Sequence, residues 1–93
     1  MVIVTFSVNF FGRVQGIGFR FLALRKANEL GLTGWVKNSF DFNCVENILQ
    51  GDKKKIDEFI FYFKENPSHV RVNNVVMDEI KNSEKFTDFQ VRY

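Results

Sequence analysis

The spacing of apolar residues changes abruptly where three glycines interrupt the chain. In residues 2–11, apolar side chains alternate with polar ones, which is typical of a half-buried strand. In residues 19–30 they recur at helical spacing, and Gly31 follows where a helix commonly ends. The intervening residues 12–20, GRVQGIGFR, are therefore predicted to connect a strand to a helix.

The middle of the chain repeats both periodicities. Residues 34–40 and 44–50 have the composition of strands, and turn-forming residues separate them at 41–43, so we expect a hairpin. A second amphipathic helix is predicted to begin after Asp52, which suits an N-cap, and to stop before Asn66-Pro67.

The last third of the chain predicts a fourth strand and a short fifth one. Apolar residues at 70 and 72 and then at 75 and 77 indicate a strand whose facing changes between the two pairs. Alternation then returns in residues 89–93. Two helices that cover one face of an antiparallel sheet would bury all these stripes. The predicted fold class is α+β, a ferredoxin-like split βαβ sandwich, with residues 1–93 forming a single domain.

The composition favours a core packed with aromatic rings over a surface that stacks on bases. The chain contains 12 Phe, and such rings carry much of the burial energy of a small core. Trp35 is likewise expected to pack in the core. The net charge of +2 is too small to argue for a nucleic-acid partner. Asn47 shares its parity with the apolar Val45 and Leu49, so it faces the helices unless a bulge near Cys44 or Asn47 resets the register.

Cysteine usage and hydropathy point to the cytoplasm. Cys44 is the one cysteine, so the chain has no internal disulfide and no cysteine cluster for a metal. No apolar run resembles a signal peptide or a membrane span. We expect a cytoplasmic monomer that needs no cofactor or metal and that binds neither membrane nor nucleic acid.

The glycine-rich connection is either an oxyanion cradle or an ordinary connection between a strand and a helix that is followed by a surface arginine. Glycines permit positive φ angles and close approach of a ligand to the backbone, and the N-terminus of the following helix adds unpaired N–H groups. Arg20 falls in the first helical turn, where a cation opposes the helix dipole unless an anion is bound. A guanidinium suits bidentate contact with phosphate or carboxylate. The spacing matches neither a Walker A loop nor G-x-G-x-x-G, which disfavours nucleotide binding.

Two motifs resemble the signatures of the acylphosphatases. The stretch GRVQGIGFR resembles G-x-V-Q-G-V-x-F-R, and the downstream GWVKNS resembles G-W-V-x-N-[TS]. The closing residues 89–93 are similar to the family's last strand. The likeness runs from about residue 6 to residue 93, and the hairpin at 41–44 departs from it by one apparent extra residue.

The resemblance implies a reaction and a set of site residues. It implies hydrolysis of small acyl phosphates to carboxylate and phosphate, with Arg20 holding the phosphate and Asn38 positioning the attacking water. It also implies that inorganic phosphate or sulfate binds a backbone cradle formed by Gln15, Gly16, Ile17, Gly18, Phe19 and Arg20.

Two other functions stay open from the sequence. The same order of elements occurs in RNA-binding modules, but their third strand carries aromatic residues and residues 44–50, CVENILQ, do not. The chain could also be a catalytically silent, anion-binding domain of the same family. An activity assay separates this second alternative from an enzyme.

Overall fold

The computed structural model describes residues 2–16, 18–65 and 70–93. The elements follow one another as β1 (Ile3–Arg13), α1 (Phe19–Leu30), β2 (Thr33–Asn38), β3 (Cys44–Asp52), α2 (Lys53–Glu65), β4 (Arg71–Glu79) and β5 (Phe89–Arg92). Within these described ranges, no helix is long and apolar enough to cross a membrane.

The predicted fold class is confirmed, with one difference at a sheet edge. The five strands form one sheet in the order β4-β1-β3-β2-β5. Strands β1 to β4 pair antiparallel, as predicted, but β5 runs parallel to β2. Residues 80–88 connect β4 to β5 from one edge of the sheet to the other, and this crossing reverses the expected direction of the last strand.

Four phenylalanines form the centre of the core between the sheet and the helices. Phe10 of β1, Phe19 of α1, and Phe59 and Phe63 of α2 are almost completely buried. The ring of Phe19 stacks on that of Phe63 with centroids 4.4 Å apart. The first residue of α1 is thereby fixed to α2, and a core packed with Phe rings is confirmed.

The end of α1 and the start of α2 lie where the sequence indicates. Gly31 follows α1 in the left-handed conformation, and its N–H contacts the carbonyls of Ala27 and Asn28, which is a common way for a helix to end. At the start of α2, the Lys54 N–H donates to Oδ1 of Asp52 at 3.1 Å. The second helix is described as far as Glu65, while Asn66-Pro67 lies outside the described residues.

The strands differ from the sequence predictions at three places. The strand β2 ends at Asn38, so Ser39 and Phe40 belong to the following loop and not to the strand. The pairing of β3 is continuous, so the bulge considered near Cys44 or Asn47 is absent from this strand, and Asn47 is buried among core residues. Trp35 lies on the opposite parity from the buried Val36, outside the core, with the Arg92 guanidinium 4.8 Å from its ring.

The predicted change of facing in the fourth strand is confirmed. Phe11 pairs with Asn74, whereas the next residue, Gly12, pairs with Val72. One residue of β4 is thus left over, which is the definition of a β-bulge. Val72 and Val75 consequently both pack against the core, although their odd spacing would place them on opposite faces of a regular strand.

Candidate active site

Arg20 and Asn38 line the same small cavity. Its volume is about 210 Å³, and it lies where the loop after β1, the first turn of α1 and the end of β2 meet. The described residues that line it are Val14, Gly16, Gly18, Phe19, Arg20, Phe21 and Asn38. The fold thus joins the two residues that were predicted to act together, although they lie on different elements.

The N-terminus of α1 opens towards this cavity. Gly16 and Gly18 have φ angles of 77° and 81°, a left-handed conformation that costs other residues about 1–2 kcal/mol. The first backbone bond of the helix runs from the Leu22 N–H to the Gly18 carbonyl at 3.0 Å, which leaves the earlier N–H groups of the turn without helical partners. No described side chain caps α1, and its first turn holds no acidic residue. These donors are therefore available to an anion.

Arg20 brings a positive charge to the same place. Its side chain is half-buried, and in the described part of the chain it belongs to none of the ion pairs. Its guanidinium carbon lies 4.6 Å from the centre of the Tyr93 ring, within the range of a cation–π contact. Tyr93 itself is largely exposed. The arginine therefore contacts an aromatic face, and no carboxylate of the described residues pairs with its charge.

Asn38 separates the cavity from a second one. The second cavity has a volume of about 330 Å³ and is lined by Lys37, Asn38, Ser39, Phe40, Glu46 and Tyr93. Asn38 is the last residue of β2, where it pairs with Val45 of β3. Its side-chain amide can accept one hydrogen bond and donate two. The asparagine is thus placed to contact a small molecule, such as water, at the boundary between the two cavities.

Gln15 has a contact that the sequence did not indicate. Its Nε2 donates to the carbonyl oxygens of Ser39 at 3.1 Å, Asp41 at 2.7 Å and Cys44 at 2.7 Å. It is not among the described residues that line the cavity. The predicted backbone cradle therefore has Gly16, Gly18, Phe19 and Arg20 at the cavity, while Ile17 lies outside the described residues.

Cys44 lies at the start of β3 and is not among the described residues that line the cavity. Its side chain is buried, and burial, aided by the nearby Glu46, raises the pKa of its thiol. Because the thiolate is the reactive form, a raised pKa disfavours chemistry at neutral pH. Over residues 2–16, 18–65 and 70–93, no three His, Cys, Asp or Glu side chains group as a metal site would require.

Comparison with known proteins agrees with the motifs. The family model "Acylphosphatase" matches residues 6–91. The chain is 41% identical over 80 residues to an acylphosphatase of Methylococcus capsulatus, with 86% of each chain covered. It is 42% identical to an acylphosphatase of Lactobacillus johnsonii, covering 96% of this chain and 98% of the relative.

The fold of the chain is similar to that of a solved acylphosphatase. The acylphosphatase of Coxiella burnetii superposes with a TM-score of 0.88 at 38% identity, over 97% of this chain and 93% of that one. The match of the family model, the relatives and the fold covers the loop, the first helix and the strand that together line the cavity. The chain therefore belongs to the acylphosphatase family, a family of hydrolases.

Proposed function

We propose that this enzyme hydrolyses small acyl phosphates by attack of water on phosphorus. The reaction is R–CO–O–PO₃²⁻ + H₂O → R–COO⁻ + H₂PO₄⁻, in which the bond between phosphorus and the bridging oxygen breaks. The observation that carries the proposal is the cavity shared by Arg20, Asn38 and the N-terminus of α1. Phosphoryl transfer asks a protein mainly for positioning and for charge stabilisation, and these groups supply both.

Arg20 and the backbone N–H groups bind the phosphoryl group in this proposal. The guanidinium offers a planar fork for two phosphate oxygens, and the first turn of α1 adds N–H donors and the positive end of the helix dipole. The absence of a carboxylate partner for Arg20 among the described residues supports this role, because a paired arginine would be partly neutralised. Inorganic phosphate is expected to bind at the same place.

Asn38 holds the attacking water in line with the bond that breaks. Its amide does not act as a base at neutral pH, so the proton of the water passes to a phosphate oxygen, which gives H₂PO₄⁻. The leaving carboxylate is stable without protonation, so its departure requires no general acid. The cavity lining agrees with this chemistry, since its described members include no carboxylate and no histidine.

The test is hydrolysis of benzoyl phosphate in excess EDTA by the wild type and by Arg20→Ala and Asn38→Ala. We expect Arg20→Ala to lose about 10³-fold or more in turnover and to lose inhibition by inorganic phosphate. Asn38→Ala should lose about 10²-fold in kcat and keep phosphate inhibition. Arg25→Ala and Asn28→Ala, exposed on α1, are the matched controls and should retain wild-type rates.

Three results would contradict the proposal. A folded wild type without turnover would favour a silent anion-binding domain. Turnover that persists in Asn38→Ala would remove the role of this residue in positioning water. Activity that depends on an added metal would mean that the described groups do not suffice for the reaction.

A further inference from the structure

The loop between β2 and β3 has few contacts that could fix its shape by packing. Two of its residues, Phe40 and Phe42, are 105% and 89% exposed, so these rings contribute no burial. Its internal hydrogen bonds are the Ser39 N–H to Cys44 O at 3.1 Å, the Cys44 N–H to Asp41 O at 3.2 Å and the Asp41 N–H to Ser39 Oγ at 3.3 Å. The loop therefore depends on contacts from elsewhere in the molecule.

Those contacts come from the end of β1 and from the loop that follows it. Gln15 donates from Nε2 to the carbonyls of Ser39, Asp41 and Cys44, and the Gly12 N–H donates to the Asn43 carbonyl at 2.8 Å. An amide nitrogen has two hydrogens, so one of them is shared between two of the three carbonyls. A single side chain thus contacts both ends of the loop.

Gln15 also connects the two halves of the proposed active site. The residue after it, Gly16, lines the cavity beside Arg20, and the residue before Ser39 is Asn38. The hydrogen bond to the Ser39 carbonyl therefore joins the anion-binding loop to the backbone that orients the Asn38 side chain. A displacement of about 1 Å between reacting groups can lower the rate about 10²-fold. Loss of this hydrogen bond is therefore expected to lower turnover.

We propose that Gln15 is a positioning residue, whose side chain fixes Asn38 relative to the phosphate bound at Arg20. The inference rests on the proposed function. In this proposal the side chain of Gln15 acts separately from the backbone donors of the cradle. Its loss should therefore lower kcat and leave phosphate binding unchanged.

The test uses Gln15→Met, which keeps the length of the side chain and removes its donor. We expect kcat for benzoyl phosphate to fall by about tenfold to a hundredfold, while inhibition by inorganic phosphate changes less than about twofold because Arg20 and α1 are untouched. Gln15→Glu should lose at least as much at neutral pH, since a carboxylate cannot donate and would face three carbonyl oxygens. Gln90→Met, on the exposed β5 position, is the control and should match the wild type.

A second readout does not depend on catalysis. Amide hydrogen exchange in Gln15→Met should accelerate at Ser39 and Cys44, whose N–H groups close the loop, and should stay unchanged at Leu22, whose N–H bonds to Gly18 in α1. If the wild type hydrolyses no acyl phosphate, the proposed function fails, and the exchange rates alone decide whether Gln15 holds the loop.

Two outcomes would overturn the inference. An unchanged kcat in folded Gln15→Met would show that the hydrogen bonds do not serve turnover. A loss of phosphate inhibition in proportion to the loss of kcat would place Gln15 in phosphate binding instead of in the positioning of Asn38.

Discussion

Asn47 is a polar residue at the centre of an apolar core. It is 1% exposed and pairs across the sheet with Val8 and Val36. Its Nδ2 donates to the Val8 carbonyl at 3.3 Å, while its Oδ1 has no hydrogen-bond partner among the described residues. A buried acceptor without a partner costs about 1–3 kcal/mol, so this side chain lowers the stability of the native state.

Replacing Asn47 by Val should stabilise the protein. The substitution removes the unpaired oxygen and keeps a side chain of similar size, so we expect the free energy of unfolding to rise by about 1 kcal/mol. Urea denaturation followed by circular dichroism measures the change. A fall in stability would mean that the hydrogen bond to Val8 contributes more free energy than the unpaired oxygen costs. Asn47→Ala is the control for overpacking, because alanine is smaller than valine.

The site residues differ in how far the sequence could predict them. Arg20 and Asn38 were predicted because each lies in a motif with a specific spacing, and the fold places both at one cavity. The side-chain contacts of Gln15 were not predicted, because its acceptors lie 24 to 29 residues further along the chain. The position of Trp35 was assigned wrongly to the core, since hydrophobicity alone does not choose between the two faces of a strand.

The N-terminus of α1 contributes both to the core and to the cavity. Its first residue, Phe19, packs into the core while the next, Arg20, lines the cavity. Left-handed glycines precede and follow the helix, with φ angles of 81° at Gly18 and 72° at Gly31. At neither glycine would an added Cβ meet an atom within 4 Å. An alanine should therefore cause similar backbone strain at the two positions, of which only Gly18 lines the cavity.

This similarity gives a matched pair of substitutions. Gly18→Ala and Gly31→Ala should each lower the free energy of unfolding by about 1–2 kcal/mol, the cost of a left-handed alanine. Only Gly18→Ala should also weaken binding of inorganic phosphate, because it changes the direction of N–H groups at the cavity. Phosphate titration by calorimetry measures the difference. Equal affinity in the two variants would argue against backbone binding of the anion.

The strands were predictable in number and order but not in every pairing. The period-two pattern and the change of facing in β4 follow from the sequence and are confirmed. The parallel pairing of β5 with β2 was not predicted. It depends on the path of residues 80–88, where the Phe86 N–H and the Glu84 carbonyl contact the side chain of Gln50. Such a contact between distant residues has no periodic signal in the sequence.

The edge of the sheet that is formed by β5 extends to the candidate active site. Tyr93, which follows β5, lies with its ring 4.6 Å from the Arg20 guanidinium and also lines the second cavity beside Asn38. A cation–π contact of this kind contributes about 0.5–1 kcal/mol at an exposed site. The residue that follows the last strand thus contacts a side chain of the first helix.

Removing the Tyr93 ring should weaken substrate binding more than turnover. For Tyr93→Leu we expect KM for benzoyl phosphate to rise about two- to fivefold, which corresponds to the free energy of the contact, with kcat within about twofold of the wild type. Tyr93→Phe keeps the aromatic face and should behave as the wild type. A large fall in kcat for Tyr93→Leu would instead assign the residue to the chemical step.

In the proposed reaction, water attacks phosphorus in the cavity that Arg20 and Asn38 line. The most direct test is hydrolysis of benzoyl phosphate by the wild type in water enriched in ¹⁸O, followed by mass spectrometry of both products. We predict that the label enters inorganic phosphate and that benzoate stays unlabelled, because the bond between phosphorus and the bridging oxygen breaks. Label in benzoate would mean attack at the carbonyl carbon and would contradict the roles given to both residues.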